Sequence, residues 1–140
     1  MDRDIITNKL VDQLYNLYTS KNMSNFFEFS QGEKKALLEL SLSERDITPT
    51  DLRKKLNVSK QRITFIINSL KDKKYITLQM DENDRRKIII KLSKTGKKYI
   101  DKESELILNE VKKELEKFTI EDLEQLTNIL SKFNDVINED

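Results

Sequence analysis

The chain has 140 residues, 36% of them charged, and its 26 basic and 25 acidic side chains leave a net charge of +1. That length fits one domain, residues 1–140, and the absence of cysteine and histidine excludes disulfides, thiolate nucleophiles, the usual zinc sites and every histidine-based triad. Only two glycines and one proline are present, which argues against glycine-rich phosphate loops and for long helices; with no leader-like N-terminus or long apolar run, the expectation is a cytoplasmic, helical, non-enzymatic protein without cofactor, metal or membrane contact.

Ile6, Leu10, Leu14 and Leu17 recur at helical spacing, so residues 4–19 are predicted to form an amphipathic helix. The period breaks over Lys21–Phe29, which reads as a loop carrying Phe26, Phe27 and Phe29. Ser30-Gln-Gly-Glu33 has capping-box spacing, and Ala36, Leu37, Leu40 and Leu42 mark one face of a second helix ending near residue 43. Thr48-Pro-Thr-Asp51 starts another helix, with Thr48 as the cap, Pro49 in the first helical position and an acid in the first turn. It buries Leu52 and Leu56 and stops at Asn57, a residue that tolerates the left-handed conformation. Ser59 caps the next helix at once, and two short helices joined by a tight turn suggest a helix-turn-helix over 48–73.

Ile76–Met80 and Lys87–Leu92 alternate, the second with Ile88, Ile90 and Leu92 on one side; the Asp81–Arg86 stretch between them suits a turn. A β-hairpin over 76–92 is predicted, packed on the preceding helices by that isoleucine face, because an isolated hairpin is marginally stable. A long helix follows from Ser93 to Phe118. Thr119-Ile-Glu-Asp122 restarts it, and Leu123, Leu126, Leu130, Phe133 and Ile137 form a heptad-like stripe that calls for a partner helix or a core.

The near-neutral total hides a segregation. Residues 48–98 hold 15 basic and 5 acidic side chains, a net +10, whereas the remainder holds 11 basic and 20 acidic, a net −9. A contiguous basic block is the footprint of a polyanion-binding surface, and acidic flanks cannot lie on the same polyanion. Helices, helix-turn-helix, hairpin and further helices together predict a mainly α fold with a small β-hairpin wing: a winged helix-turn-helix over 30–98, flanked by helical regions at 1–29 and 99–140.

In the helix from Ser59, Ile63, Ile66, Ile67 and Leu70 gather on one side as core. The other side carries Gln61, Thr64, Phe65 and Asn68, flanked by Lys60 and Arg62. Gln and Asn can pair bidentately with adenine, and Thr and Phe can touch thymine methyls. Phe65 has two open readings, a DNA contact or packing against the wing base. Ser59 with its helix N-terminus, and Lys54, Lys55, Lys71 and Lys73, suit phosphates.

The stretch Asp81-Glu-Asn-Asp-Arg-Arg-Lys-Ile-Ile-Ile-Lys-Leu-Ser-Lys-Thr-Gly96 resembles the wing of MarR-type regulators, D-x-x-D-R-R followed by L-T/S-x-x-G, and Lys60-Gln-Arg-Ile63 is reminiscent of the related SarA branch. The chain departs from the pattern at Lys74, where glycine is usual before the wing, and at Phe65, where a basic residue is frequent. The resemblance implies a homodimer held by the N- and C-terminal helices that binds a pseudo-palindromic double-stranded DNA operator, as a repressor. It assigns Arg85 to a minor groove, with Arg86 paired to Asp84 or a neighbouring acid. It also implies a small aromatic or anionic effector, for which Tyr15, Tyr18, Phe26, Phe27 and Phe29 are candidate contacts, although an aromatic cluster at a helix junction is more often simply core. The alternative from a different class is an adaptor that uses the winged helix for protein contacts.

Overall fold

The computed structural model describes residues 2–21, 23–24 and 32–139. Ser30 of the expected capping box, and Phe26, Phe27 and Phe29, lie outside the described residues. The described elements are α1 (Arg3–Thr19), α2 (Gly32–Leu42), α3 (Pro49–Leu56), α4 (Lys60–Asp72), β1 (Ile76–Met80), β2 (Ile88–Leu92), α5 (Lys94–Leu115) and α6 (Ile120–Ile137). The chain divides into two compact units, residues 1–103 and 104–140.

The first unit contains a winged helix-turn-helix. Its core collects one face from each element: Ala36 and Leu37 of α2, Leu52 and Leu56 of α3, Ile63, Ile66, Ile67 and Leu70 of α4, Ile76 of β1 and Ile100 of α5. The α4 residues are the four that a 3.6-residue period places together. Leu42, expected on the buried face of α2, is 70% exposed, because it falls in the last turn, beyond the packed part of the helix.

The hairpin is antiparallel, with Ile76 opposite Leu92 and Met80 opposite Ile88. Its buried side differs from the expected one. Ile89 and Ile90 are both buried and Ile88 is 45% exposed. Adjacent strand residues point to opposite faces, so the middle of β2 is covered on both. Ile47 contributes to this: the Ile90 N–H donates to its carbonyl at 2.8 Å, making a one-residue third strand, and α2 and α3 pack on β2.

Helix α1, also in this unit, buries none of its residues. In the second unit α6 starts at a reciprocal capping box: Asp122 N–H donates to Thr119 Oγ1 at 3.1 Å and Thr119 N–H to Asp122 Oδ2 at 3.2 Å. Val111, Leu115 and Leu123 are half-buried there, and α6 has no fully buried residue. No helix among the described residues is long and apolar enough to cross a membrane.

Candidate nucleic-acid interface

The geometry of the helix-turn-helix is set by its caps. Thr48 and Asp51 form a reciprocal capping box at the start of α3, at 3.1 and 3.0 Å. Backbone and side-chain hydrogen bonds from Thr48 favour the ionised carboxyl of Asp51 and hold its pKa below the usual value. Asn57 ends the helix in the left-handed region, φ 53°, and turns the chain within two residues. Ser59 Oγ then accepts from the Arg62 N–H at 3.1 Å and starts α4.

With its apolar side buried, α4 presents Lys60, Gln61, Thr64, Phe65 and Asn68 around a shallow depression of about 430 Å³. The Thr64 hydroxyl donates to the Lys60 carbonyl at 2.9 Å, so its proton is taken and its methyl and an acceptor lone pair remain for a ligand. Phe65 is 65% exposed. The ring therefore stands on the helix surface, with the Arg62 guanidinium 5.8 Å from its centroid.

Arg62 turns away from the depression. It lines a second hollow of about 440 Å³ with Glu33, Ser69, Lys73 and Phe65. There Lys73 Nζ donates to Glu33 Oε2 at 2.7 Å. Burial raises the Glu33 pKa, but hydrogen bonds from Lys73 and Ser69 and the charges of Lys73 and Arg62 outweigh it and hold the carboxyl below its ordinary value. The hydrogen bond to Glu33 in turn raises the Lys73 ammonium. This clamp between the start of α2 and the end of α4 was not read from the sequence; forty positions separate its partners, and no local pattern links them.

The wing turn is built from short polar bonds. Asp81 Oδ1 accepts from the Asn83 N–H at 2.9 Å, Asp84 Oδ1 accepts from the Arg86 N–H at 3.0 Å, and Asp81 N–H donates to the Lys87 carbonyl at 2.9 Å. Arg86 Nε also reaches Asp84 Oδ1 at 3.3 Å. Arg85 is exposed and makes no ion pair among the described residues.

These elements sit in a recognisable segment: residues 32–87 match the MarR family model. Those residues, from α2 through β1 and the wing turn, are similar to the MarR family. Comparison with curated proteins returns no match. Among solved structures, the chain is similar in fold to MepR, a transcription regulator of the Staphylococcus aureus multidrug efflux pump MepA, at 16% identity over 99% of this chain and all of that one, TM-score 0.68. It is similar to a MarR-like transcriptional regulator from Thermotoga maritima at 21% identity, over 100% and 99% of the two chains, TM-score 0.65. A MepR mutant bound to an oligodeoxyribonucleotide aligns at 18% identity over 94% and 98%, TM-score 0.61.

The MarR-type pattern gains physical reasons here. Lys74, at the position where glycine is usual, has φ 63°, a left-handed backbone that a side chain adopts at a cost. Gly96 of the L-S-x-x-G stretch lies against the backbone: a Cβ there would sit 2.1 Å from the Tyr75 carbonyl oxygen. Ser93 fastens the same junction, its Oγ donating to the Lys74 carbonyl at 2.7 Å and accepting from the Gly96 N–H at 3.0 Å. Tyr75 and Tyr99 stack beside it, centroids 4.6 Å apart; burial raises the Tyr99 pKa, as does the charge of Glu103.

Of the cations expected at phosphates, Lys55 pairs with Glu39 at 3.8 Å and Lys73 with Glu33, whereas Lys54, Lys60 and Lys71 form no ion pair among the described residues. Tyr15 and Tyr18, the described effector candidates, are exposed on α1; Phe26 and Phe29 fall outside the described residues.

Proposed function

We propose that this chain is a sequence-specific double-stranded DNA-binding regulator that works as a homodimer on a pseudo-palindromic operator and represses transcription. The observation that carries the reading is the outer side of α4: Gln61, Thr64, Phe65 and Asn68 stand exposed around one depression that Lys60 also lines, and neither Lys60 nor Lys54 of α3 is engaged in an ion pair among the described residues. Gln61 and Asn68 supply base-edge hydrogen bonds, and Lys54, Lys60 and the Ser59 end of the helix supply phosphate contacts. Arg85 at the narrow wing tip enters a minor groove while Asp84 holds Arg86. The match of residues 32–87 to a family of regulators, and an oligonucleotide-bound structure of similar fold, support DNA as the partner and regulation without catalysis.

The dimer rests on unpaired apolar stripes. Ile6, Leu10, Leu14 and Leu17 of α1 are each about half exposed, as are Leu126, Leu130 and Phe133 of α6. A second copy of the chain would cover them and set two α4 helices roughly one DNA turn, about 34 Å, apart. The acidic flanks hold these dimer helices off the duplex. Tyr15 and Tyr18, with Phe26 and Phe29, are the residues we assign to a small aromatic or anionic effector.

A gel-shift titration against salt tests this reading. With roughly four to five phosphates contacted per subunit, the logarithm of the binding constant should fall against log salt with a slope of about −7 to −9. Arg85→Ala should weaken binding to every sequence and flatten the slope by roughly one for each of the two subunits; unchanged affinity at moderate salt would contradict the wing assignment. Salt-independent binding, or none, would favour the protein-adaptor reading.

A further inference from the structure

The face of α4 is divided by Phe65, which is the wall shared by two hollows. On one side is the shallow depression with Lys60, Gln61, Thr64 and Asn68; on the other is the hollow of Glu33, Ser69 and Lys73. Arg62 belongs only to the second. Its guanidinium lies over the Phe65 ring at 5.8 Å, and its Nη2 is 3.6 Å from where a Cβ on Gly32 would sit, so the side chain reaches back toward the start of α2. A cation placed over a ring is attracted to it.

This placement has a chemical consequence for the depression. Its polar members, Gln61 and Asn68, make no side-chain hydrogen bond within the described residues and can address base edges. Its apolar members are the Phe65 ring and the methyl of Thr64, whose hydroxyl proton is already committed to the Lys60 carbonyl. In the major groove the one apolar group that a base pair offers is the C5 methyl of thymine. Lys60 in the same lining makes no ion pair among the described residues, which favours a polyanionic duplex as the occupant.

We infer that Phe65 and Thr64 form a reader of the thymine C5 methyl group, and that Arg62 is a positioning residue that holds the Phe65 ring and makes no base contact. This deepens the DNA-binding reading and rests on it. Within each half-site, at least one A·T pair is recognised by its methyl, and the discrimination is against uracil, which differs from thymine in that group alone.

The test uses the full-length protein and the duplex it selects from a random library, resynthesised with deoxyuridine in place of each half-site thymine in turn and then in both half-sites together. Burying one methyl corresponds to about four-fold in affinity, so a dimer should lose about fifteen-fold when the paired positions of both half-sites carry deoxyuridine. Phe65→Ala should bind the thymine and uracil duplexes within two-fold of each other. Asn68→Ala should keep the full ratio while binding both more weakly. Arg62→Gln should reduce the thymine-to-uracil ratio, and Arg62→Lys, which keeps a cation near the ring, should restore most of it; a purely structural role would leave that ratio unmoved. A wild-type ratio within two-fold at every position, a selected half-site with no thymine, or a full ratio retained by Phe65→Ala would each overturn the inference while leaving specific DNA binding intact. Failure to select any duplex would instead overturn the DNA-binding reading, and the methyl reader with it.

Discussion

Helices α4 and α6 carry comparable apolar periodicity and meet opposite fates. Ile63, Ile66, Ile67 and Leu70 of α4 are all at most 6% exposed, whereas Leu126, Leu130 and Phe133 of α6 each remain 49–50% exposed. Periodicity reports that a helix has a face to bury; it does not report whether the same chain supplies the cover. In the winged helix the cover comes from α2, α3, β1 and the start of α5. For α6, as for α1, most of the stripe is left uncovered. The winged helix thus covers its own apolar faces, whereas α1 and α6 leave stripes exposed that the proposed dimer would use.

Substitutions that separate these two regions should differ in kind as well as size. The largest effect is expected at Gly96→Ala, where the new methyl would meet the Tyr75 backbone at 2.1 Å and force α5 away from the wing junction. Thermal unfolding should show a loss of about 2–3 kcal/mol, and a neutral result would mean that this junction is not rigid. Leu130→Asp, by contrast, should leave the fold of the winged helix in place and act on assembly. Sedimentation should show a shift to monomer, and affinity for the selected duplex should drop at least ten-fold on the scale of roughly 1.4 kcal/mol per decade. A variant that stays dimeric would remove α6 from the interface.

Lys74→Gly should stabilise by about 0.5–1 kcal/mol, since glycine adopts the φ of 63° without the Cβ penalty, partly offset by a more flexible unfolded chain. Chemical denaturation reads this directly, and destabilisation would show that the Lys74 side chain contributes packing. The smallest effect concerns the Glu33–Lys73 clamp. The Glu33 pKa is depressed below its ordinary 4.5, so its contribution is fully present above that pH and is lost as pH falls through the lower folded-state value. The Lys73 pKa is raised above 10.5, so its contribution is present below that pH and is lost as pH rises through the higher folded value. Lys73 is about half exposed and Glu33 about a third, so solvent screening limits the pair to under ~1 kcal/mol. Glu33→Gln should therefore lower stability at neutral pH by under ~1 kcal/mol and converge with the wild type as pH falls through the folded-state value, which flattens the acid limb; equal stability of the two at neutral pH would show that the clamp contributes nothing to folding.

Much of the winged helix was legible because its signals are local. The capping pair Thr48–Asp51, the left-handed Asn57, the core face of α4 and the Asp84–Arg86 pair, like the Thr119–Asp122 cap outside the winged helix, all involve residues within a few turns of each other. What escaped depended on distant partners. The bridge from Ile47 to Ile90 pairs residues 43 positions apart, the Tyr75–Tyr99 stack joins the wing entry to α5, and Glu33 meets Lys73 only after the helices pack. On the candidate site, periodicity brought Gln61, Thr64, Phe65 and Asn68 together, but it gave no reason to separate Arg62 from them. That separation depends on where Gly32 and Glu33 lie, and those contacts come from α2 packing beside α4.

The central claim is a self-contained reader doubled by its terminal helices, and selection of bound sequences from a random duplex library tests both parts together. The enriched site should consist of two inverted half-sites about 10 base pairs apart, centre to centre. A single unpaired half-site would contradict the dimer, and the absence of any enriched sequence would contradict the reader.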